Sequence, residues 1–165
     1  NVIGGGDWAE DRIIPDCIRA LEAGRPIILR NPKATRPWQH VLDPLNGYLR
    51  LAAALVQDSD RFAGSWNFGP EPDGGTTVRE VAEQVVESWG SGEIEIDTSS
   101  DVPFEHQLLQ LDIDKAMAEL GWQPVWSGAR AVKESISWYK DVIGGKRAWE
   151  VSAKQITSFT GEAND

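Results

Sequence analysis

The first eight residues, Asn1-Val2-Ile3-Gly4-Gly5-Gly6-Asp7-Trp8, constrain this chain most. An apolar pair of strand type runs directly into three glycines, the pattern of a buried strand ending in a tight loop. A strand of that kind wants neighbours on both sides, as in a parallel sheet covered on both faces. The sequence opens on Asn rather than Met, and the expectation is that it is the second half of something larger, with any chemistry of the other half absent from it.

Strand and helix signals alternate from there, which predicts an α/β architecture. Ile14, Cys17, Ile18 and Leu21 share one helical face, with Pro15 in the first turn and Gly24 as the stop. Pro26 to Arg30 and Trp38 to Leu42 read as short extended stretches. A helix follows with Leu45, Tyr48, Leu49, Ala52, Leu55 and Val56 on its apolar side. Asp58 to Gly64 reads as a polar loop and Ser65 to Gly69 as a strand running into a Pro/Gly-rich loop. Thr77-Val78-Arg79-Glu80 is a capping box opening a helix that ends at Gly90, and Glu93 to Ile96 alternates like a half-exposed strand. Asp112 or Asp114 caps a helix ending at Leu120-Gly121, and Ser127 caps another that stops at Gly144-Gly145. Ser152 to Gln155 matches a second capping box, opening a short terminal helix with Ile156 and Phe159. From about Thr76 onward the chain is more helical, so 1–75 and 76–165 are expected as two lobes, intermixed in space.

Charge narrows the partners. Sixteen basic and 26 acidic side chains give a formal net charge of -10, a field that repels nucleic acid and anionic membranes, so neither is an expected partner. A local arginine cluster still binds an anionic small molecule against that field. The single cysteine, Cys17, rules out an internal disulfide, suits a reducing, cytoplasmic setting, and reads as a small core residue rather than a nucleophile. The eight Trp are many for 165 residues; cleft lining and core packing account for them equally well.

A self-contained active site is not visible. Neither Gly-x-Gly-x-x-Gly nor Gly-x-x-Gly-x-x-Gly occurs, and Asp7 after the glycine run opposes a phosphate. No Tyr-x-x-x-Lys occurs, no Gly-x-Ser-x-Gly, and His40, His106 and Cys17 lack metal-type spacing. No catalytic, cofactor-binding or metal-binding residue is therefore assigned. Binding candidates are better. Arg36 stands beside Pro37 and Trp38 at the mouth of an extended stretch, and a guanidinium is the preferred bidentate partner of a phosphate. Pairing with a surface acid is the plainer alternative. Arg12 and Arg30 could converge on the same anion. Asn67 and Asn1 sit at strand ends, where α/β sheets collect ligands and where loop-stabilising Asn is equally common.

A family pattern emerges from these residues together. Asn1 to Trp8, Asp11-Arg12-Ile13-Ile14-Pro15-Asp16, Ile28-Leu29-Arg30-Asn31-Pro32, Arg36-Pro37-Trp38-Gln39-His40-Val41-Leu42-Asp43-Pro44-Leu45 and Trp66-Asn67-Phe68-Gly69-Pro70 resemble the C-terminal half of the CDP-glucose 4,6-dehydratase family, within the extended short-chain dehydrogenase/reductases. The resemblance continues through Leu120-Gly121-Trp122-Gln123-Pro124 to Glu150-Val151-Ser152. It implies the C-terminal part of a Rossmann-type parallel sheet plus a smaller, mostly helical substrate-binding lobe. It implies a reaction with bound NAD: C4 of the sugar is oxidised, water leaves across C5 and C6, and hydride returns to C6. The NAD loop and the Tyr-x-x-x-Lys of such enzymes lie upstream of the motif at Asn1. The resemblance carries over substrate binding: Asn1 faces the sugar diphosphate; Arg12 and Ile13 begin the helix over the nucleotide; Leu29 and Arg30 pack against the base; Arg36 grips the diphosphate; Asn67 lies near the phosphates. Glu105 matches the middle of a His-Glu-Ala element, although Phe104 and His106 flank it here. A CDP-sugar is the implied ligand and a homo-oligomer the implied assembly of the whole enzyme. Another nucleotide-sugar epimerase or dehydratase, or a non-catalytic sugar-nucleotide-binding module, stands as the alternative.

Overall fold

Short parallel strands and amphipathic helices organise the chain in its computed structural model, which describes residues 1–71, 75–98 and 109–163. In chain order the elements are β1 (Val2–Ile3), α1 (Ile13–Glu22), β2 (Ile27–Leu29), β3 (Thr35–Arg36), β4 (Gln39–His40), α2 (Leu42–Gln57), α3 (Ser59–Phe62), β5 (Thr76–Thr77), α4 (Val78–Trp89), β6 (Ile94–Ile96), α5 (Asp114–Leu120), α6 (Gly128–Ile143) and α7 (Ala148–Glu162). The architecture is α/β, as the alternation predicts. β1 pairs in parallel with β4, Ile3 opposite His40, and β2 with β6, Leu29 opposite Ile96. A short antiparallel bridge joins β3 to β5, with Arg36 opposite Thr76.

The main core forms where α1, α4 and α6 lay their apolar stripes together over β2. Ile14, Cys17 and Ile18 meet Val81, Ala82, Val85, Ala131, Val132, Ile136 and Tyr139, all buried. Fully burying one such aliphatic side chain contributes about 1.5–3 kcal/mol. This core mixes residues from both sides of position 75. A second cluster gathers Phe68, Ile113, Ala116 and Trp122 under α2 and α5. The capping box at Thr77 is present with both reciprocal hydrogen bonds, Ser127 accepts from the Arg130 N–H at 3.3 Å, and Gly90 ends α4 in the left-handed region. Trp38, Trp122, Trp126 and Trp138 are buried, so half of the tryptophans serve packing.

Four expectations need correction. α2 forms, but Leu45, Tyr48, Leu49 and Val56 are exposed; the helix instead buries Asp43, Pro44 and Gly47. At Gly47 an added Cβ would lie 2.3 Å from the Phe68 ring, so the missing side chain permits the close approach. Ser65 to Gly69 is not a strand: Phe68 turns into the second core and Asn67 donates to the Asp112 carbonyl instead of to a neighbouring strand. Asp58 to Gly64 is not all loop, because Asp58 caps the short α3 through the Arg61 N–H. α7 starts four residues before Ser152, whose hydroxyl is engaged in accepting from Trp138 Nε1 at 2.9 Å, while Gln155 reaches the Glu134 carbonyl.

Candidate functional site

A cleft of about 650 Å³ opens between the β1–α1 segment and the end of β2, a size that suits a nucleotide-scale ligand. Ile3 and Ile27 point its strands into the core, and the loops after β1 and β2 form its two walls. Asn1, Arg12, Ile13, Leu29, Arg30 and Arg36, six of the eight residues singled out in the sequence, line this one cavity. Asn67 does not line it. Glu105, with Phe104 and His106, lies outside the described residues.

Arg36 occupies the floor. Only 7% of it is exposed, and its Nη1 donates to the Thr35 carbonyl at 2.7 Å. The floor is stitched from distant sequence: Trp38 Nε1 donates to the Thr76 carbonyl at 3.0 Å, the Val78 N–H to Ala34 and the Arg79 N–H to Pro32. A guanidinium cannot shed its proton, so a floor that encloses one is permanently cationic, and its attraction for an anion is little weakened by solvent. The Asn1 backbone nitrogen donates to the Pro37 carbonyl at 2.6 Å, and Asn1 accepts from the Gln39 N–H, which places the start of β1 beside this floor.

The rim has a different character. Arg30 reaches across the mouth to Asp11, Nη2 to Oδ1 2.7 Å, and Arg12 lies 3.8 Å from Asp7. Neither carboxylate was assigned a binding role from the sequence: Asp7 stood out only as a charge that opposes a phosphate, and the one signal for Asp11 was its place in the loop after the glycines. That glycine run is no phosphate cradle either. An added Cβ at Gly5 would lie 2.0 Å from the Trp138 ring, so the loop is filled by protein. Trp8 packs edge-on against Tyr139, whose hydroxyl donates to the Asp7 carbonyl; burial, then the Asp7 charge, push that phenol up to about 12. Cys17 is enclosed in α1, and burial pushes its thiol up to about 12, consistent with a packing role.

Behind the cleft, β4 and the start of α2 carry buried polar groups that sequence reasoning passed over. Asp43, 0% exposed, accepts from the Val125 N–H at 2.7 Å while its carbonyl accepts from Trp122 Nε1. It pins the Trp122–Trp126 segment to the helix that follows Arg36. Burial raises its carboxyl to about 6, against the pull of backbone bonds from Val125 and Trp126. His40 packs edge-on to Trp126, accepts from the Leu42 N–H at Nδ1, and is lowered by burial to about 4, so it stands neutral with its proton on Nε2. Gln39 Nε2 donates to the Phe68 carbonyl at 2.7 Å, linking the two cores. Among the described residues no group of His, Cys, Asp and Glu is placed to hold a metal, and no helix is long and apolar enough to cross a membrane.

Comparison with known proteins points in one direction. The chain is 39% identical over 159 residues to a CDP-glucose 4,6-dehydratase of Salmonella typhimurium, covering 96% of this chain and 44% of that protein. It is 32% identical over 132 residues to a dTDP-glucose 4,6-dehydratase of Streptomyces niveus, covering 79% of this chain and 35% of that one. The chain thus spans less than half the length of these curated relatives. No family model matches it. Among solved structures, a dTDP-glucose 4,6-dehydratase of Bacillus anthracis in complex with NAD superposes with a TM-score of 0.69 at 22% identity, over 86% of this chain and 42% of that one. A UDP-glucuronic acid 4-epimerase of Bacillus cereus in complex with UDP-glucuronic acid and NAD gives 0.66 at 18% identity, over 86% and 43%. These likenesses establish the Rossmann-type fold of the nucleotide-sugar epimerases and dehydratases.

Proposed function

As a relative of the CDP-glucose 4,6-dehydratases within the extended short-chain dehydrogenase/reductases, this chain is, we propose, the substrate-binding half of an NAD-dependent enzyme that converts CDP-glucose to CDP-4-keto-6-deoxyglucose. The observation that carries the reading is the buried Arg36 on the floor of a cleft shared with Asn1, Arg12, Ile13, Leu29 and Arg30.

In this reading Arg36 anchors the diphosphate through paired N–H donors, with Asn1 beside it. Leu29 and Ile13 give the base an apolar wall, and Arg12 and Arg30 meet the anion at the rim. Binding energy from the nucleotide then orients the sugar for chemistry, as remote contacts do when they fix a reactive geometry. NAD supplies the hydride acceptor and donor of such a reaction. The glycine run after β1 does not fit it, because Trp138 fills the space a dinucleotide phosphate would need. We therefore assign the hold on NAD to the part of such enzymes that this chain does not cover. The exposed apolar side of α2, with Leu45, Tyr48, Leu49 and Val56, is the face we assign to that part, since the relatives are more than twice as long as the matched stretch of the chain. Segment 1–75 then supplies Rossmann strands and most cleft residues, and 76–165 the lobe that closes against them. The setting is cytoplasmic and the whole enzyme a homo-oligomer.

Titration of the chain with CDP-glucose, dTDP-glucose and UDP-glucose tests the ligand. CDP-glucose is expected to bind tightest, and Arg36→Ala to weaken it about tenfold or more, the scale of a lost charge-assisted hydrogen bond. Equal affinity for the three nucleotides sinks the CDP assignment. Unchanged affinity in the Arg36 variant sinks the anchor.

A further inference from the structure

We propose that Asp11 is a counter-ion latch on the mouth of the cleft: its carboxylate holds Arg30, and an anionic ligand gains that guanidinium only by taking the carboxylate's place. The inference rests on reading the cleft as a sugar-nucleotide site, and it adds a residue that governs how tightly the anion is held.

The placement of Asp11, together with the charges of the cleft, carries it. Among the described residues it alone, glycines aside, has a left-handed backbone, at φ +58. Asp is among the few residues other than Gly that adopt this region readily, so the turn costs Asp11 little. What it gains is an aim across the opening. Its Oδ1 meets Arg30 Nη2 at 2.7 Å, joining the β1–α1 loop to the end of β2, the two opposite walls.

The charges of the cleft make the same point. Among the described residues Arg12, Arg30 and Arg36 line it, and so do Asp7, Asp11 and Asp16, three of each sign. Asp16 is engaged with Arg19, Asp7 stands by Arg12, and Asp11 takes Arg30. Among the described residues the lining charges balance, so an anion that reaches Arg30 must exchange for a carboxylate at the rim. That arrangement suits turnover. Substrate and product of a dehydratase carry the same nucleoside diphosphate, and grip common to both adds nothing to the chemical step while slowing release. A carboxylate poised to recapture Arg30 lets the diphosphate leave.

The test is CDP binding by the chain, with equilibrium titration and stopped-flow dissociation, for wild type, Asp11→Asn, Arg30→Ala, the double variant and Arg36→Ala. Asn keeps the left-handed backbone at position 11 without the charge, and Asp11→Gly serves as a second variant should Asn disturb the loop. Loss of an exposed ion pair together with its local negative charge predicts CDP binding about three- to tenfold tighter in Asp11→Asn, mainly through slower dissociation. Neutral cytidine is expected to bind unchanged, and Arg30→Ala to abolish the gain. CDP affinity in both Asp11 variants at or below wild type, with Arg36→Ala still impaired, overturns the latch and leaves the reading of the cleft standing. Wild type and Arg36→Ala binding CDP equally overturns that reading, and the latch with it.

Discussion

His40 and Asp43 lie three residues apart, both enclosed, and burial moves their proton affinities in opposite directions. The consequence is a cancellation that single substitutions expose. His40 falls from 6.5 to about 4, so between these values the unfolded chain takes a proton that the folded one refuses. Its contribution to stability is complete above pH 6.5 and is lost as pH falls toward 4. Asp43 rises from 3.8 to about 6, so in that window the folded chain keeps a proton the unfolded one has released. Its contribution is complete below pH 3.8 and is lost as pH rises through 6. Each swing is on the order of 3 kcal/mol, and from pH 6 to 4 they oppose each other. His40→Asn preserves an acceptor for the Leu42 N–H and removes the titration; Asp43→Asn likewise preserves an acceptor for Val125. Urea unfolding at pH 6 and pH 4 reads the result as the stability of each variant relative to wild type, which removes the background titration of the other carboxylates. On acidification from pH 6 to 4 His40→Asn is expected to gain on the order of 2 kcal/mol against wild type, and Asp43→Asn to lose a similar amount. If both variants keep a constant offset from wild type across the two pH values, the argument from burial is wrong.

Other consequences are equally open to measurement. Gly5→Ala places a methyl 2.0 Å from a Trp138 ring clamped by Ser152 and Tyr139, and is expected to cost about 2–3 kcal/mol in urea unfolding. In a Trp138→Leu background the same change is expected to cost almost nothing, and an equal cost in both backgrounds refutes the overlap. Thr77→Ala removes a capping box and is expected to cost about 1–2 kcal/mol and to speed amide exchange at Val78 to Val81, next to the cleft floor. Unaltered exchange there would show that tertiary stitching alone holds the first turn. The chain by itself is expected to release no 4-keto sugar from CDP-glucose with added NAD; any turnover would show catalytic groups that its motifs do not reveal.

Local chemistry was legible where one segment decides the outcome. The capping box at Thr77, the Ser127 cap, the stop at Gly90 and the apolar stripe of α1 all follow from neighbours within a few residues. Failures fall where a distant segment competes. Ser152 has the letters of an N-cap, but Trp138 from the preceding helix claims its hydroxyl. Ser65 to Gly69 has the composition of a strand, yet Phe68 is drawn between Gly47 and Trp122. The stripe on α2 is real as a pattern and exposed as a surface, because periodicity reports that a face is apolar without reporting what lies against it. At the site the same division holds. Arg36 stood out by its setting beside Pro37 and Trp38, whereas Asp11 and Asp43 matter through partners 19 and 82 residues away that no local pattern announces.

That contrast also ranks the arginines. Arg12 and Arg30 stand in solvent with carboxylates at hand, so an anion there competes with an existing partner and with salt, and the gain per contact is small. Arg36 is enclosed and its backbone position is fixed by the bridge to Thr76, one residue from the cap of α4. Its guanidinium has already lost most of its water on folding, so that desolvation cost is carried by the protein rather than by the ligand. Trp38 and Val78, hydrogen-bonded to Thr76 and Ala34, limit how far the floor can relax when the anion is absent. Preorganisation of this kind turns one buried cation into a stronger determinant of affinity than two exposed ones. Loss of Arg36 should therefore weaken a diphosphate more than the combined loss of Arg12 and Arg30; the reverse order, measured with CDP in the same buffer, would place the anchor at the rim.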